Sequence, residues 1–289
     1  MTVSTQGSVL ITGASSGIGK TCALMLDRSG YRVFAGVRKI EAGEALKKES
    51  SGNLVPVILD ITDQNQIAAA VKTVEGLLGT ESGLSGLVNN AGIGVVGPME
   101  FIPLDHLREQ IDVNFIGHVA VTQAFMPLIR KGCGRVINIG SGSGRIALPF
   151  LGPYAAAKYA LEAVTDALRR ELQPWGIPVV IIEPGAVKTP IFEKGELGAE
   201  KILSEMPVQA RDYYSKRFHI SEKIAMKAVK RAIKPEVVAR VVLEALQARR
   251  PRTRYAVGPD AAMAVIGSFL PDRFIDWCLV RVRRSMGGE

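Results

Sequence analysis

An alternation of short apolar runs with longer helical stretches constrains the fold most, and it continues from the N-terminus to about residue 185. The runs are rich in valine and isoleucine, which is typical of parallel strands buried on both faces. They occupy 9–11, 32–37, 55–59, 86–89, 135–139 and 179–183, between helical stretches at 17–29, 41–49, 64–78, 104–130 and 154–173. A helix at 236–248 and a strand at 254–257 follow. The pattern predicts an α/β protein with right-handed crossovers and a doubly wound, parallel, seven-stranded sheet.

The chain length and the continuous pattern favour one domain over 1–289. With roughly 100–200 residues per domain, 289 residues allow one large domain or two small ones. Residues 186–235 interrupt the alternation, and 259–289 form a C-terminal tail. A long insertion at the carboxyl end of a sheet usually covers a ligand site. We therefore expect residues 186–235 to be a helical insertion that covers the substrate. Helices packed on a neighbouring surface are the alternative. The apolar residues of the insertion are Phe192, Leu197, Ile202, Leu203, Met206, Tyr213, Tyr214 and Phe218.

The composition excludes several classes of protein. Hydrophobic residues make up 47% and charged residues 22% of the chain, which excludes disorder, collagen and coiled coil as whole-chain descriptions. The three cysteines and three histidines are scattered, so we expect neither a disulfide scaffold nor a metal site. The N-terminus has no signal-peptide pattern, and no uncharged apolar run is long enough to span a membrane. We therefore expect a reduced, intracellular protein.

The positive charge of the chain is concentrated late in the sequence. Residues 211–254 contain 13 Lys and Arg against 4 Asp and Glu, whereas the whole chain has a net charge of +8. Such a segment can bind nucleic acid, an anionic membrane or an anionic substrate, or it can be a solvated face. Because no nucleic-acid motif accompanies it, the solvated face is the favoured interpretation, and no nucleic-acid partner is expected.

A glycine-rich loop opens the first helix. Residues 9–19 read VLITGASSGIG. Gly13 allows a tight turn, Gly17 allows the backbone to approach a pyrophosphate, and Gly19 allows the helix to pack closely on the strand. The N-terminus of the helix offers free N–H groups and the positive end of its dipole to phosphates. The loop predicts a dinucleotide site; the alternative is a purely structural turn.

The loop spacing, TGxxxGxG rather than GxGxxG, resembles the short-chain dehydrogenase/reductase family. Further motifs follow in the family's order: Asn89-Asn90-Ala91-Gly92 after the fourth strand, Asn114 in the long helix, Ser141 after the fifth strand, Tyr154 and Lys158 as YxxxK, and Pro184-Gly185 with Thr189 after the sixth. The resemblance covers about residues 8–190, more weakly to 257, and it implies a Rossmann fold.

The resemblance also implies roles for individual residues. The catalytic residues would be Asn114, Ser141, Tyr154 and Lys158. Ser141 and Tyr154 would also contact the substrate. Ser143 is the alternative to Ser141 for this role. Asn114 would distort its helix and hold a water that links Lys158 to solvent. The implied cofactor site comprises Gly13, Ser15, Ser16, Gly17, Ile18, Gly19, Arg38, Lys39, Asp60, Ile61, Asn90, Ala91, Gly92, Tyr154, Lys158, Pro184, Gly185, Val187 and Thr189. Asp60 and Ile61 would line the adenine pocket, and Val187 and Thr189 would hold the nicotinamide carboxamide.

The chemistry of Tyr154 and Lys158 can also be derived from their spacing. Residues four apart share one face of a helix, so the lysine ammonium is expected near the phenol. A free tyrosine has a pKa of about 10, and lowering it by about three units needs roughly 4 kcal/mol. One positive charge about 4 Å away supplies roughly that much at an effective dielectric of 20. Tyr154 is thus a candidate general acid for carbonyl reduction and base for alcohol oxidation.

The end of the second strand predicts the cofactor. An acidic residue there would bind both ribose hydroxyls and favour NAD(H), but the chain has Arg38 and Lys39 instead. Positive charge, and arginine in particular, suits a 2′-phosphate. We therefore expect NADP(H), with NAD(H) as the alternative.

The substrate is less well determined by the sequence. The segments VNNAGIGVVGPME and GSGSGRIALPFLGPY resemble the hydroxysteroid and retinol dehydrogenase branch, the first of them its estradiol 17-beta-dehydrogenase-like members. That implies a lipophilic, steroid- or retinoid-like ketone or aldehyde and its alcohol. The alternatives are a 3-oxoacyl or 3-hydroxyacyl reductase and a non-catalytic NADP(H)-sensing protein. The retained Ser-Tyr-Lys set argues against a sensor.

Assembly and location are expectations of the same kind. Family members commonly pair through the two long helices, so we expect a homo-oligomer, a dimer or tetramer, using apolar positions that include Val119, Leu161, Val164 and Leu168. The tail residues 261–284 mix apolar side chains with arginines, a pattern that suits an interfacial helix. A tail that closes the substrate pocket or a subunit interface is the favoured interpretation. A cytoplasmic protein is expected, with peripheral membrane contact as the alternative.

Overall fold

A parallel sheet of seven strands forms the centre of the protein. The computed structural model describes residues 6–80, 82–191 and 204–285. The strand order is β3-β2-β1-β4-β5-β6-β7, and every neighbouring pair is parallel. The order reverses between β1 and β4, so the sheet is doubly wound, as predicted. The strands are Ser8–Ile11, Arg32–Val37, Leu54–Ile58, Gly86–Asn89, Arg135–Ile139, Val179–Pro184 and Arg254–Val257.

Helices cover both faces of the sheet. They are α1 Gly17–Arg28, α2 Ile40–Lys48, α3 Gln64–Leu78, α4 Leu104–Ile111, α5 Gly117–Lys131, α6 Gly152–Leu172, α7 Val208–Lys230, α8 Pro235–Gln247, α9 Pro259–Gly267 and α10 Asp272–Ser285. Successive residues of β1 point to opposite faces: Val9 and Ile11 join the core under α1 and α8, whereas Leu10 joins the core under α3 and α5. Burial on both faces explains why the strands carry continuous apolar runs.

The predicted helix at 104–130 is interrupted. A single π-helical turn, Asp112–Ile116, lies between α4 and α5. Such turns occur mostly inside α-helices and frequently at functional sites. This turn contains Asn114, where the family resemblance implies a distortion.

The long α6 helix contributes more to the core than we expected. Leu161 is 1% exposed and packs inside the molecule, so its place among the interface positions was wrong. It lies on the helix face that rests on the sheet, where an apolar side chain is buried within one chain. Val119, Val164 and Leu168 are partly exposed.

The insertion and the tail both contain helices. Within 186–235 the structure has α7 and an isolated parallel bridge between Val187 and Ile233. Phe192, Leu197, Ile202 and Leu203 lie outside the described residues. In the tail, no residue of α10 is buried. Across the described residues, every helix is too short or too polar to cross a membrane.

Candidate active site

The glycine loop has the backbone that only glycine adopts easily. Gly13 and Gly17 have φ angles of +65° and +56°, in the left-handed region that disfavours residues with a Cβ. Gly19 has an ordinary φ, but a Cβ there would lie 2.3 Å from the carbonyl oxygen of Gly13. The loop therefore forms a concave cradle of main chain at the end of β1, in the place and with the glycine roles that the sequence predicts.

The N-terminus of α1 faces this cradle without a side-chain cap. The N-cap residue Ser16 is extended, makes no side-chain capping hydrogen bond, and no acidic residue lies in the first turn. The first N–H groups of the helix are therefore left for another acceptor, and the dipole favours an anion. These features fit the pyrophosphate of a dinucleotide.

Thr12 and Asn90 brace the cradle from beneath. The Asn90 amide donates to the carbonyl oxygens of Thr12 at 2.9 Å and Gly13 at 3.2 Å. The Thr12 hydroxyl accepts from the backbone N–H groups of Asn90 and Ala91, at 2.9 and 3.1 Å. Sequence reasoning passed over Thr12, although its place directly before Gly13 was a usable signal. These bonds join β1 to the turn after β4.

Asn114 anchors the same turn from the other side. Its side-chain oxygen accepts from the N–H of Ile93 at 2.8 Å, and its amide donates to the carbonyl of Ile93 at 2.9 Å. The side chain is completely buried. The π-helical turn thus directs a polar side chain into the protein, where it positions the chain segment that follows Gly92.

Ser141 and Tyr154 meet at the carboxyl end of β5. Ser141 caps a short 3₁₀ turn, and its hydroxyl accepts from the N–H of Ser143 at 3.1 Å. Tyr154 lies in the first turn of α6. Burial raises the pKa of Tyr154 above its ordinary value, and its hydrogen bond with Ser141 opposes that rise. The phenol is therefore protonated at neutral pH in the protein without ligands.

Lys158 lies against the ring of Tyr154 and is held by a strand carbonyl. Its Nζ donates to the carbonyl oxygen of Ile139 at 2.8 Å and lies 5.7 Å from the centroid of the Tyr154 ring. Burial lowers the pKa of Lys158 to about 8, while the charge of Glu162 opposes that shift. The ammonium thus lies over the ring and is held by a strand carbonyl, and a lowering of the Tyr154 pKa by Lys158 stays a prediction.

One large cavity connects the glycine loop with these side chains. Its volume is about 2090 Å³. The predicted site residues that line it are Gly13, Ser15, Ser16, Ile18, Arg38, Asp60, Ile61, Asn90, Ala91, Gly92, Asn114, Ser141, Tyr154, Lys158, Pro184, Gly185, Val187 and Thr189. Gly17, Gly19 and Lys39 do not line it. The two glycines shape the cradle, and Lys39 is the exposed N-cap of α2.

Arg38 and Asp60 line the end of the cavity beside β2 and β3, and the Asp60 carboxylate already accepts hydrogen bonds within the protein. Arg38 is exposed at the end of β2 and borders the cavity. Oδ1 of Asp60 accepts from the N–H and hydroxyl of Thr62, at 3.0 and 2.7 Å. Asp60 therefore shapes the turn after β3, and Arg38 supplies a cation at the end of the neighbouring strand β2.

The other end of the cavity is apolar and is covered by α7 and the tail. The Phe150 ring packs edge-on against Tyr214 and Phe218, with centroid distances of 6.1 and 5.3 Å. Phe150 has a φ of +68°, a strained conformation for a bulky residue, and nothing in the sequence marked it. Residues of the tail that line this end are Met263, Ala264, Ile266, Leu270, Ile275 and Leu279.

Comparison with known proteins agrees with this geometry. The model of the short chain dehydrogenase family matches residues 7–198. Retinol dehydrogenase 5 of Mus musculus is 37% identical over 289 residues, covering 96% of this chain and 90% of that protein. The 17-beta-hydroxysteroid dehydrogenase type 6 of Bos taurus is 38% identical, with 94% and 87% covered.

A solved structure of the same class is similar in three dimensions. The short chain dehydrogenase of Burkholderia cenocepacia in complex with NADP is 25% identical, covers 94% of this chain and 96% of its own, and superposes with a TM-score of 0.70. The chain therefore belongs to the short-chain dehydrogenase family, resembles its retinol and hydroxysteroid dehydrogenases, and is an oxidoreductase of CH–OH groups with a nicotinamide cofactor.

Proposed function

We propose that this protein is an NADP(H)-dependent oxidoreductase that interconverts a lipophilic ketone or aldehyde and its alcohol, with Tyr154 as general acid and base. One observation carries the proposal. Ser141, Tyr154 and Lys158 border a single cavity that has a phosphate-binding cradle at one end and an apolar lining at the other. A substrate whose apolar part occupies the apolar end would thereby have its carbonyl group near Tyr154, the proposed proton donor.

Each residue of the site has a separate role in the proposed reaction. The nicotinamide cofactor, when bound, supplies or accepts the hydride. Tyr154, protonated at neutral pH because burial raises its pKa, donates a proton to the carbonyl oxygen during reduction. The Ser141 hydroxyl orients that oxygen beside the phenol. Lys158 supplies positive charge, and Asn114 fixes the adjoining main chain. In the oxidative direction, Tyr154 takes the proton back.

The preference for NADP(H) is supported by the charge at the end of β2. The position where a ribose-binding carboxylate would favour NAD(H) carries Arg38, which borders the cavity. A guanidinium binds phosphate through two parallel N–H bonds. The solved relative with bound NADP supports the same choice.

The apolar end of the cavity supports a bulky, lipophilic substrate. Aromatic and aliphatic side chains from the 146–151 loop, α7 and the tail line it. Small-molecule sites of this kind use apolar walls for affinity and a few polar groups for orientation. The names of the relatives, a retinol dehydrogenase and a hydroxysteroid dehydrogenase, point to the same class of substrate.

A substrate panel tests the proposal directly. Purified protein is incubated with NADPH and with steroid ketones, retinal, simple aliphatic ketones and 3-oxoacyl thioesters, and the cofactor absorbance is followed. We expect turnover with the bulky lipophilic carbonyls and a higher kcat/KM with NADPH than with NADH. Turnover confined to acyl thioesters would replace this proposal with the acyl reductase. No turnover with any carbonyl, despite cofactor binding, would favour the sensor.

The tail supports a proposal about location, namely contact with an anionic lipid surface. Met263, Phe269 and Trp277 are 70%, 84% and 54% exposed. Arg281 lies over the Trp277 ring at 5.3 Å, and Arg273 and Arg284 are also exposed on α10. Exposed aromatic side chains beside arginines suit the interface of a bilayer with anionic headgroups. Other tail residues line the cavity, so closing the pocket and touching a membrane are compatible roles.

A further inference from the structure

A buried pair of acidic side chains lies behind the active site. Glu162 follows Lys158 by one turn of α6, and Glu183 stands near the end of β6, just before Pro184. They are 7% and 1% exposed. Burying two carboxyl groups together is costly unless each is paired or neutral. Neither residue belongs to the family motifs or takes part in the proposed mechanism. The presence of two buried carboxyl groups at this place therefore needs a physical reason.

Two arginines from other elements bind this pair. Arg145 Nε donates to Glu183, and its Nη2 lies 3.6 Å from Glu162 Oε2. Arg254 Nε, from β7, lies 3.3 Å from the same Glu162 oxygen, and its Nη2 lies 2.8 Å from Asp166. The cluster thus connects α6, β6, β7 and the loop after β5.

The cluster lies beside the two segments that carry Ser141 and Lys158. Arg145 is four residues after Ser141 and ends the 3₁₀ turn that Ser141 caps. A Cβ on Gly144 would lie 3.1 Å from the carbonyl oxygen of Lys158 and 3.2 Å from Cγ of Glu162. The serine loop is therefore packed directly against the Lys158–Glu162 face of α6, and Arg145 ties the two together.

The environment of Glu162 favours its neutral form at neutral pH. Burial and the neighbouring Glu183 carboxyl group raise the pKa of Glu162 to about 8. Among the described residues, Glu162 Oε1 is buried and has no hydrogen-bond partner. Of the two carboxyl groups, Glu183 has the closer contact with the Arg145 guanidinium.

The charged groups around Glu162 come from four elements. Lys158 and Asp166 share α6 with it, Arg145 belongs to the loop, Glu183 to β6 and Arg254 to β7. Both arginines remain charged throughout the neutral and alkaline range. The groups that change charge there are Glu162 and Lys158, and the charge of Glu162 stabilises the ammonium of Lys158.

We propose that Glu162 is a positioning residue for the reaction. It holds a proton at neutral pH, releases it in alkaline solution to keep Lys158 charged, and is joined through Arg145 to the loop of Ser141. The inference rests on the proposed function for its effect on turnover. The protonation of Glu162 itself does not depend on which substrate is used.

The variant Glu162→Gln tests the proposal because it keeps the shape and the neutral charge of the protonated side chain. The kcat/KM for carbonyl reduction is measured from pH 6 to 10. Without a carboxylate beside it, Lys158 loses its proton at lower pH, so the alkaline limb should move down by roughly half to one pH unit. Glu171→Gln, which removes an exposed carboxylate of α6 outside the cluster, is the matched control and should leave that limb in place.

The pH dependence of the thermal midpoint provides a second measurement that needs no turnover. Since the folded pKa of Glu162 lies above its unfolded value, the stability linked to neutral Glu162 is complete below the unfolded pKa and is lost as the pH rises toward about 8. The wild type should lose more stability than Glu162→Gln between pH 5 and 9. Equal slopes, or an alkaline limb that does not move, would overturn the proposal. If the wild type reduces no carbonyl, the proposed function fails and the thermal midpoints alone decide about Glu162.

Discussion

Two side chains are central to the proposed chemistry at the scale of single residues. Burial raises the pKa of Tyr154, so the phenol carries the proton that it would donate in the proposed reaction. Lys158 is held by the carbonyl of Ile139, so its charge lies over the ring and is not hydrogen-bonded to the phenol oxygen. In this arrangement Tyr154 suits the reductive direction, and oxidation requires additional positive charge near the phenol, which an oxidised nicotinamide brings.

Tyr154→Phe is expected to remove the proton donor and little else. Turnover should fall by roughly 10²–10⁴-fold, the usual contribution of a general acid, while NADPH binding stays within a few-fold because the phosphates are held by the glycine loop. Steady-state kinetics and cofactor titration measure the two effects. Tyr213→Phe, on an exposed side chain of α7, is the control. A Tyr154→Phe enzyme that keeps more than about 1% of turnover would contradict the role.

Arg38→Ala is expected to weaken NADPH binding selectively. A charge-assisted contact with the 2′-phosphate is worth about 1.5–3 kcal/mol, which corresponds to roughly 10- to 150-fold in the dissociation constant. Binding of NADH should hardly change. Lys39→Ala serves as the control, because Lys39 is equally exposed but does not border the cavity. Equal losses for both cofactors would show that Arg38 is structural and would remove the basis for NADP(H).

At the scale of elements, the junction of β1 with α1 decides whether a dinucleotide can bind. The turn requires positive φ at two glycines and leaves no room for a Cβ at a third. Asn90, at the end of the neighbouring strand β4, holds the turn through hydrogen bonds with Thr12. The conformation of the cradle thus depends on both local and tertiary structure. The motif contributes the glycines, and the turn after the neighbouring strand β4 contributes the hydrogen bonds that hold them.

Gly19→Ala is expected to disturb this junction. The new Cβ would lie 2.3 Å from the Gly13 carbonyl oxygen, so the helix must move away from the loop, at a cost of about 1–3 kcal/mol, with weaker NADPH binding. Gly76→Ala is the control: it lies in α3 with nothing within 4 Å, and alanine should stabilise the helix by about 0.5–1 kcal/mol. Thermal unfolding and cofactor titration measure both variants. Unchanged binding in Gly19→Ala would show that the close contact is dispensable.

The α10 helix is expected to act on both the cavity and a lipid surface. A chain that ends at Leu270 removes cavity-lining residues of α10 and should lose activity. It should also co-sediment less with anionic vesicles than the full-length chain. Trp277→Ala separates the two roles, since Trp277 is exposed and does not line the cavity, and should weaken vesicle binding alone. Equal, negligible binding by all three chains would eliminate the membrane contact.

At the scale of the whole molecule, the sheet brings the end of every strand to one edge, and the site is assembled there. Residues from β1, β2, β4, β5 and β6, or from the turns that follow them, border the same cavity. This is the position at which doubly wound sheets bind ligands. The helical insertion and the tail line the apolar end of the cavity, and both lie outside the repeating α/β core.

We expect the molecule to form a dimer or tetramer through α5 and α6. Val119 and Val164 are partly exposed on these helices, and closed symmetric assembly is the usual arrangement of such surfaces. Light scattering at micromolar concentration should give a multiple of the 31.0 kDa chain mass. Val119→Glu should lower that mass, because a charge would be buried at the interface. A monomeric mass for the wild type would refute the expectation.

The sequence by itself determined the doubly wound sheet, the glycine-rich turn between β1 and α1, and the placement of Tyr154 and Lys158 on one helix. Each of these depends on local rules: the two-face burial of parallel strands, the backbone freedom of glycine, and the four-residue repeat of a helix face. Such signals involve residues that are close along the chain, so they can be recognised without knowing the fold.

Only the tertiary structure decided which distant side chains meet. Three features depend on segments that lie far apart in the sequence. They are the contact of Lys158 with Ile139, the burial of Leu161, and the cluster of Glu162, Glu183 and Arg254. Nothing in the local pattern distinguishes a solvated glutamate on α6 from one that shares a buried site with a strand. The packing of α6 on β5, β6 and β7 creates that low-dielectric site, and burial together with neighbouring charge then sets the pKa values on which the proposed chemistry depends.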